Sequence, residues 1–483
     1  MLLALALLAV ASAASPATPD AEIQAAAERI APAVVSVRRA LHAYPELSNR
    51  EERTGRLIAE RLRTHGLEVR YPVAKTGVVG ILRGGRPGGA VALRADIDAL
   101  PIEEASDLSF KSQVKGVMHA CGHDAHTAIL LGTVEVLASL RDRLPGRVVF
   151  LFQPAEEGAP EGEEGGAALL VKEGALDEPK VEAVFGFHVG SWVSVGQAGW
   201  TEGPIFASSD TFTIEVAGKT VHGAQPHMGL DPVPVAAEIV QALQLIVSRQ
   251  IDGRQPRVLT IGRIQGGSRF NIVADRVTMD GTMRTHDATV RAEMKARMAR
   301  TVKGVAEAHG TTATLRFLDE GNPPTVNDAA LAREAGVPAL RRVFGAGAVR
   351  VEPQMVAEDF PAFGQKAPYF YFLLGTRNDA EGIASINHTA TFDVDEDALP
   401  LGVRAMATLA WDFLGRKRSV ENLVGAHLLK RVHFRQDTGA ATSSFRDRDG
   451  RDMRGPCARA VVDADVGGRR RRPSRPGTRS RSG

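Results

Sequence analysis

Met118-His119-Ala120-Cys121-Gly122-His123-Asp124 places a thiol, imidazoles and a carboxylate within one short turn. A strand-like apolar run, residues 90–93, precedes it, and an apolar helix-like run, residues 127–140, follows. A loop joining a buried strand to a buried helix is the repeating unit of an α/β sheet, where such loops gather at the strands' carboxyl ends. Cys121 and His123 can face one ion from this loop, and a thiol with an imidazole suits zinc or a similar divalent metal. The competing reading is a buried cysteine, packed as a small apolar residue beside incidental histidines. The loop alone leaves both open.

Outward from the loop, residues 21–43 carry Ile23, Ile30, Val34 and Leu41 near helical spacing, and a second helix is expected over 51–64, stopping near Gly66. Strands are expected at 77–82, 90–93, 147–152 and 183–187, the last ending in His188. Arg94-Ala95-Asp96-Ile97-Asp98-Ala99-Leu100-Pro101 and Phe152-Gln153-Pro154-Ala155-Glu156-Glu157-Gly158 each leave the carboxyl end of such a strand. From Thr211 the pattern becomes strand 211–217, helix 232–249, strands 257–263 and 276–284, helix 288–309 and strand 312–317. That β-α-β-β-α-β order is the ferredoxin-like unit. It interrupts an α/β domain that resumes near Asn327 and closes with a helix over 398–414. The domains expected are a catalytic part at 20–205, an insertion at 206–322 and a second catalytic part at 323–415.

The 483 residues exceed one typical core, and 44% hydrophobic with 24% charged residues is a globular composition. The net charge of +2 hides an asymmetry. Residues 416–483 hold 18 Lys/Arg against 7 Asp/Glu, leaving 41 against 50 elsewhere. This basic segment lacks periodicity and any accompanying nucleic-acid motif, so it reads as a solvated, disordered tail with no nucleic-acid partner. Residues 1–14, an apolar run ending Ala11-Ser12-Ala13-Ala14, read as a secretory signal without its basic start, which favours export to the periplasm or medium and cytoplasmic residence if the signal fails. No later run is long enough for membrane insertion. Of the two cysteines, Cys121 sits among histidines and Cys457 in the tail, so ligation is favoured over a bridge.

Cys121, His123, Glu157 and His188 all lie in segments expected to meet at one sheet edge. In Glu156-Glu157, adjacent side chains on an irregular turn point different ways, so one can bind metal while the other serves as general base. An acidic surface turn is the plainer reading, and Glu161, Glu163 and Glu164 fit it. His388, in Asn387-His388-Thr389, can add a further nitrogen, although a lone histidine is more often structural.

These motifs, in order over residues 37–414, resemble the amidohydrolase branch of the aminoacylase/carboxypeptidase metallopeptidase family, which includes hydrolases of hippurate, N-acyl amino acids and indole-3-acetyl–amino acid conjugates. The resemblance implies a zinc-peptidase-like α/β catalytic domain and an inserted ferredoxin-like lid that makes a homodimer. It implies that Cys121, His123, Glu157, His188 and His388 hold two divalent ions (zinc, manganese or cobalt), with Cys121 bridging. Glu156 would be the base and Asp98 a carboxylate supporting the metals. Gly218-Lys219-Thr220-Val221-His222-Gly223 resembles the lid's hallmark loop, which implies that His222 steadies the oxyanion in a neighbouring subunit. Asn271 and Arg284 correspond to contacts with the substrate's amide and α-carboxylate, and Arg suits a carboxylate by its planar fork. Thr389-Ala390, Val273-Ala274-Asp275 and the glycine-free Val356-Ala357-Glu358-Asp359-Phe360 depart from the family pattern. The expected activity is hydrolysis of N-acyl amino acids. A carboxypeptidase or dipeptidase on the same scaffold, a non-catalytic acyl-amino-acid binder and a Cys/His nucleophilic hydrolase are the alternatives.

Overall fold

The fold is that of a computed structural model, which describes residues 19–318 and 321–416. The expected signal at 1–14 and the basic segment beyond Arg416, with Cys457, lie outside the described residues.

Runs of Val, Leu and Phe assemble an eight-stranded mixed sheet. From one edge its strands are Glu68–Val73, Gly77–Arg83, Pro145–Gln153, Arg86–Asp96, Ala183–Ser194, Tyr369–Arg377, Ala198–Trp200 and Ala348–Arg350. The four from Pro145–Gln153 to Tyr369–Arg377 are parallel and buried on both faces, which explains their unbroken apolar sequence. Alternation divides their side chains between two cores. Val91, Leu93, Phe150 and Phe185 face the helices Pro19–His42, His123–Ser139 and Ala398–Gly415, whereas Ala92, Val149, Leu151 and Val184 face the side of Gly166–Lys172 and Phe360–Gln365.

One gap in the ladder locates the site. Pairing between Arg86–Asp96 and Ala183–Ser194 ends at Leu93 and Phe185, although both strands continue. Beyond that point the neighbours separate at their carboxyl ends, the crevice where open α/β sheets hold ligands.

Strands Pro204–Phe206 and Thr325–Val326 pair antiparallel where the chain leaves for the insertion and returns. Between them, Asp210–Ala217, Arg257–Gly266, Arg276–Thr285 and Ala313–Phe317 form an antiparallel sheet in the order fourth, first, third, second. This is the ferredoxin-like arrangement. Its helices Pro232–Leu245 and Ala288–Ala308 are capped by Asp231 and Asp287, and Phe212, Ile239, Met279 and Met294 form a core of its own.

Several elements differ from the sequence expectation. The helix after the Cys/His loop starts at His123 rather than residue 127, because the loop turns directly into it. Ala183–Ser194 outruns 183–187, so His188 stands within a strand. The helix expected over 232–249 ends at Leu245 and continues as a π-turn, Ile246–Gln250. Edge strand Glu68–Val73, half-exposed and containing Pro72, carried no clear period. Among the described residues, no helix is long and apolar enough to cross a membrane.

Arg38, fully buried in the first helix, donates to Asp124 (2.9 Å), Asp393 (2.6 Å) and Glu396 (3.1 Å). His42 Nδ1 lies 2.8 Å from the same Asp124 oxygen. Although burial opposes it, Arg38 and His42 hold the Asp124 carboxyl far below the usual range. One cation thus joins the segment after His123 to the segment after His388. Arg38→Met strips Asp124 of its main counter-charge and is expected to lower the unfolding free energy by ~3–5 kcal/mol in urea titration. A loss below ~1 kcal/mol would show that the tie is dispensable.

Candidate metal centre

The candidate ligands come from the parallel strands and the segments that follow them. Cys121 precedes the helix His123–Ser139, Glu156 and Glu157 follow Pro145–Gln153, His188 lies in Ala183–Ser194, and His388 follows Tyr369–Arg377. Gly122, between two of them, has φ +95°, and a Cβ there would stand 2.4 Å from Val189 Cγ2. Only glycine meets both demands.

Cys121 Sγ lies 3.3 Å from His188 Nε2 and 3.2 Å from His388 Nε2, and the latter is 3.2 Å from Glu157 Oε1. Of the five groups of donor atoms that could hold an ion among the described residues, two contain the thiol, Cys121/His123/His188 and Cys121/Glu157/His388. His388 is brought in despite the unusual Thr389-Ala390, since its N–H donates to Ala120 O at 2.8 Å and Asn387 Nδ2 donates to Cys121 O at 3.0 Å.

Outer hydrogen bonds settle which nitrogen faces inward. His123 Nδ1 is 2.9 Å from Asp98 O and 3.2 Å from Asp98 Oδ1, while His188 Nδ1 is 2.8 Å from Val189 O. Each ring therefore turns Nε2 towards the cluster, the usual arrangement of a metal-ligating histidine. Asp98 Oδ2 also accepts from Ser48 Oγ (2.7 Å) and from the Glu157 N–H (3.1 Å), so one carboxylate orients His123 and pins the Glu loop.

The donor chemistry fits divalent cations. Among the described residues, His123 Nε2 is buried without a hydrogen-bond partner, and Glu157 Oε1 is buried beside His388 Nε2. Burial pushes the Cys121 thiol well above its usual range, and Glu157, Glu156 and Asp96 push it further. Burial raises Glu156 in the same way, reinforced by Glu358 and Glu157. His123 resists burial because Asp96 and Asp98 lift its pKa to about 10, whereas burial and His126 bring His188 down to about 3, the neutral form a ligand needs. Anionic donors crowded in a low-dielectric crevice are what bound cations would stabilise.

Several functional residues escaped sequence reasoning. Arg94 is buried in a central strand and donates to Gln153 (2.8 Å), Asp96 (2.6 Å), Glu358 (2.7 Å) and Asp359 (3.2 Å). Tyr371 donates to Glu358 at 2.5 Å. An arginine inside an otherwise apolar strand was the available signal. His126 Nδ1 lies 2.5 Å from Asp96 Oδ1 and its Nε2 accepts the Val189 N–H at 2.9 Å, so both nitrogens are used and it serves as a support. Glu51 accepts from the Ala155 N–H (2.9 Å) and Thr76 (2.6 Å), holding Ala155 at φ +53° directly before Glu156. Burial and Asp98 raise Glu51 to about 7.

The ligands open on a cleft of about 610 Å³, lined also by Arg284, Trp192, Phe206 and Ile386. Arg284, at the end of an insertion strand, donates to Met355 O at 3.3 Å. His222 and Asn271 are not brought to this cleft. They stand together on the insertion, where the Gly223 N–H donates to Asn271 O at 2.8 Å and His222 is exposed.

Residues 92–412 match the model of peptidase family M20/M25/M40. The chain belongs to this family. It is 44% identical over 381 residues to thermostable carboxypeptidase 1 of Saccharolobus solfataricus, a match covering 79% of this chain and 95% of that one. It is 43% identical over 307 residues to the N-acyl-L-amino acid amidohydrolase of Geobacillus stearothermophilus, covering 63% and 81%. The crystal structure of Bacillus subtilis YXEP, described as a dinuclear metal-binding peptidase of the M20 family, superposes with a TM-score of 0.69 at 34% identity, over 80% of this chain and 99% of that one. The M20 member is thus a mixed α/β protein with donor clusters suited to two cations.

Because the thiol belongs to both clusters, the ligands are not equivalent. Cys121→Ala is expected to reduce bound metal from about two equivalents to well below one. His388→Ala and His123→Ala should each leave about one. Metal analysis after gel filtration reads the difference, and equal loss in all three variants would refute a shared thiol.

Proposed function

We propose that this M20 member is a metal-dependent amidohydrolase that cleaves N-acyl amino acids to a carboxylic acid and a free amino acid. The observation supporting it most directly is the pair of donor clusters meeting at Cys121 beside Glu156, on the floor of a cleft that also contains an arginine. Cys121, His123, Glu157, His188 and His388 would hold two divalent ions, for which the mixed thiol, imidazole and carboxylate set suits zinc, manganese or cobalt. Such ions supply a Lewis acid for the amide carbonyl and lower the pKa of water.

Glu156 takes one proton from water, whose oxygen bonds to the acyl carbon. As the C–N bond breaks, Glu156 returns that proton to the leaving amine. The clamps on either side, Glu51 on Ala155 and Asp98 on Glu157, keep this carboxylate aimed. Arg284, half-buried and with only a backbone carbonyl as hydrogen-bond acceptor among the described residues, is suited to the substrate's α-carboxylate.

His222 and Asn271 would complete the site from a second copy of the chain, with His222 steadying the oxyanion. A homodimer through the insertion is supported by its edge strand Arg257–Gly266 and by the exposed Ile264 and Phe270. Export is proposed from the apolar start of the sequence alone.

The second reading, a carboxypeptidase, rests on the 44% identical Saccharolobus protein of that name. It differs in what the acyl side of the cleft accepts, a peptide in place of a simple acyl group. Rates on hippurate against a dipeptide with the same C-terminal residue separate the two, and the amidohydrolase reading expects hippurate to be faster. Glu156→Gln should keep the metal content and lower kcat about 100- to 10,000-fold. Undiminished turnover in that variant would remove Glu156 from the mechanism.

A further inference from the structure

We propose that Asn387, locked by Ser191, is the positioning residue that sets how tightly the outer cluster, Cys121/Glu157/His388, holds its ion, and that this ion is the more weakly held of the two. The proposal rests on the two-ion reading of the site and deepens it by dividing the ions into an inner and an exchangeable one.

His388 lacks what holds the other two ligand histidines. His123 and His188 are nearly inaccessible, and each engages Nδ1 with an oxygen of Asp98 or Val189, so ring rotation is blocked on both counts. The His388 side chain is 53% exposed, and among the described residues its Nδ1 has no hydrogen-bond partner. Its backbone stands at φ +65°, a region that non-glycine residues occupy only where the surroundings impose it. The position of the ring therefore depends on the backbone of residues 387–388 rather than on packing around the imidazole.

Asn387 supplies that hold. Its Nδ2 donates to Cys121 O at 3.0 Å, so the residue before one ligand bonds the backbone of another, 266 positions away. Its Oδ1 accepts from Ser191 Oγ at 2.6 Å, and the same Oγ accepts from the Asn387 N–H at 3.3 Å. A carbonyl such as Cys121 O can only accept, which places Nδ2 on it and leaves Oδ1 to the hydroxyl. Ser191 is buried in the strand that carries His188. One amide thus joins the segments of Cys121, His188 and His388. The His388 N–H adds a bond to Ala120 O at 2.8 Å, but any residue other than proline offers that donor. The two clusters are therefore unequally prepared. A ligand set that must be ordered as the ion binds holds it less tightly than one already in place. Cys121, shared by both, is also fixed by the turn into the helix His123–Ser139, so loss of the amide falls mainly on the outer cluster.

The test titrates the metal-stripped, full-length protein with zinc in competition with a chromophoric chelator. The parent is expected to bind two equivalents, the second at least about tenfold more weakly. His388→Ala should abolish the weaker equivalent, which assigns it. Asn387→Ala should weaken that equivalent by a further factor of about ten or more and move the tighter one by less than about threefold. Asn387→Asp keeps an oxygen for Ser191 but has no donor for Cys121 O, and should behave like Asn387→Ala. Ser191→Ala should fall between these and the parent, and carries the same comparison if circular dichroism shows Asn387→Ala unfolded. Added zinc should return Asn387→Ala towards the parent's rate on an N-acyl amino acid, a rescue that a damaged fold would not allow. Equal affinities in the parent overturn the inner–outer division. Equal loss from both equivalents in Asn387→Ala, or no loss from either, overturns the role of Asn387 and leaves the hydrolase reading intact. Two ions unequally held by a parent that hydrolyses no N-acyl amino acid uphold the proposal and sink the hydrolase reading. A parent that binds one equivalent sinks the two-ion reading and this proposal with it.

Discussion

Negative charge buried at the carboxyl edge of the sheet is the constraint on which the rest depends. Asp96, Asp98, Glu358 and the Cys121 thiol are all nearly inaccessible, and Glu156 and Glu157 stand beside them. Removing a carboxylate from water costs several kcal/mol unless a cation or a hydrogen bond offsets it. The fold meets this in two ways. Arg94 and Arg38 are permanent counter-charges, each reaching three carboxylates and each almost completely buried. The clusters around Cys121 are left with inward-facing thiol, imidazole and carboxylate donors, which exchangeable metal ions are suited to bind.

This division explains why the ligand residues are surrounded by so many groups that do not touch the clusters. A metal ligand has to present one particular nitrogen or oxygen, and side-chain rotation is suppressed only if its other polar atom is engaged. Asp98 and the Val189 carbonyl do this for His123 and His188 respectively. Glu51 and Asp98 do it for the backbone on either side of Glu156, which keeps Ala155 in a conformation that non-glycine residues rarely adopt.

Legibility in the sequence followed the range of the interaction. The central strands were readable because burial on both faces writes an apolar run into consecutive residues, and the insertion because its two periods alternate in order. Cys121, His123 and Glu157 could be singled out as candidate ligands because they lie in or next to strand-exit loops, and the resemblance joined His388 to them. What escaped was non-local. Nothing near Arg94 announces Glu358, 264 positions away, and nothing near Arg38 announces Glu396, 358 positions away. The glycine-free stretch at 356–360 was read as a matter of loop shape, yet its Glu358 and Asp359 complete the Arg94 cage. Edge strands such as Glu68–Val73 escaped because half-exposure erases the period.

The same stretch links the insertion to the charged cage. Arg284 donates to Met355 O, and His286 Nε2 lies 2.8 Å from Gln354 O, so the end of one insertion strand grips residues 354–355. Three positions on, Glu358 and Asp359 are held by Arg94, and Asp359 also accepts from Gln153 and the Ala167 N–H. The chain crosses between the two sheets on paired strands only two and three residues long. A turn of the insertion about those short strands cannot leave residues 354–359 undisturbed, since both ends of that segment are bonded. Arg284 therefore reaches the cleft on the same mechanical link that terminates in the cage behind Glu156. The proposed contact for the substrate's α-carboxylate and the carboxylates beside Glu156, the proposed base, are thus joined through one bonded segment.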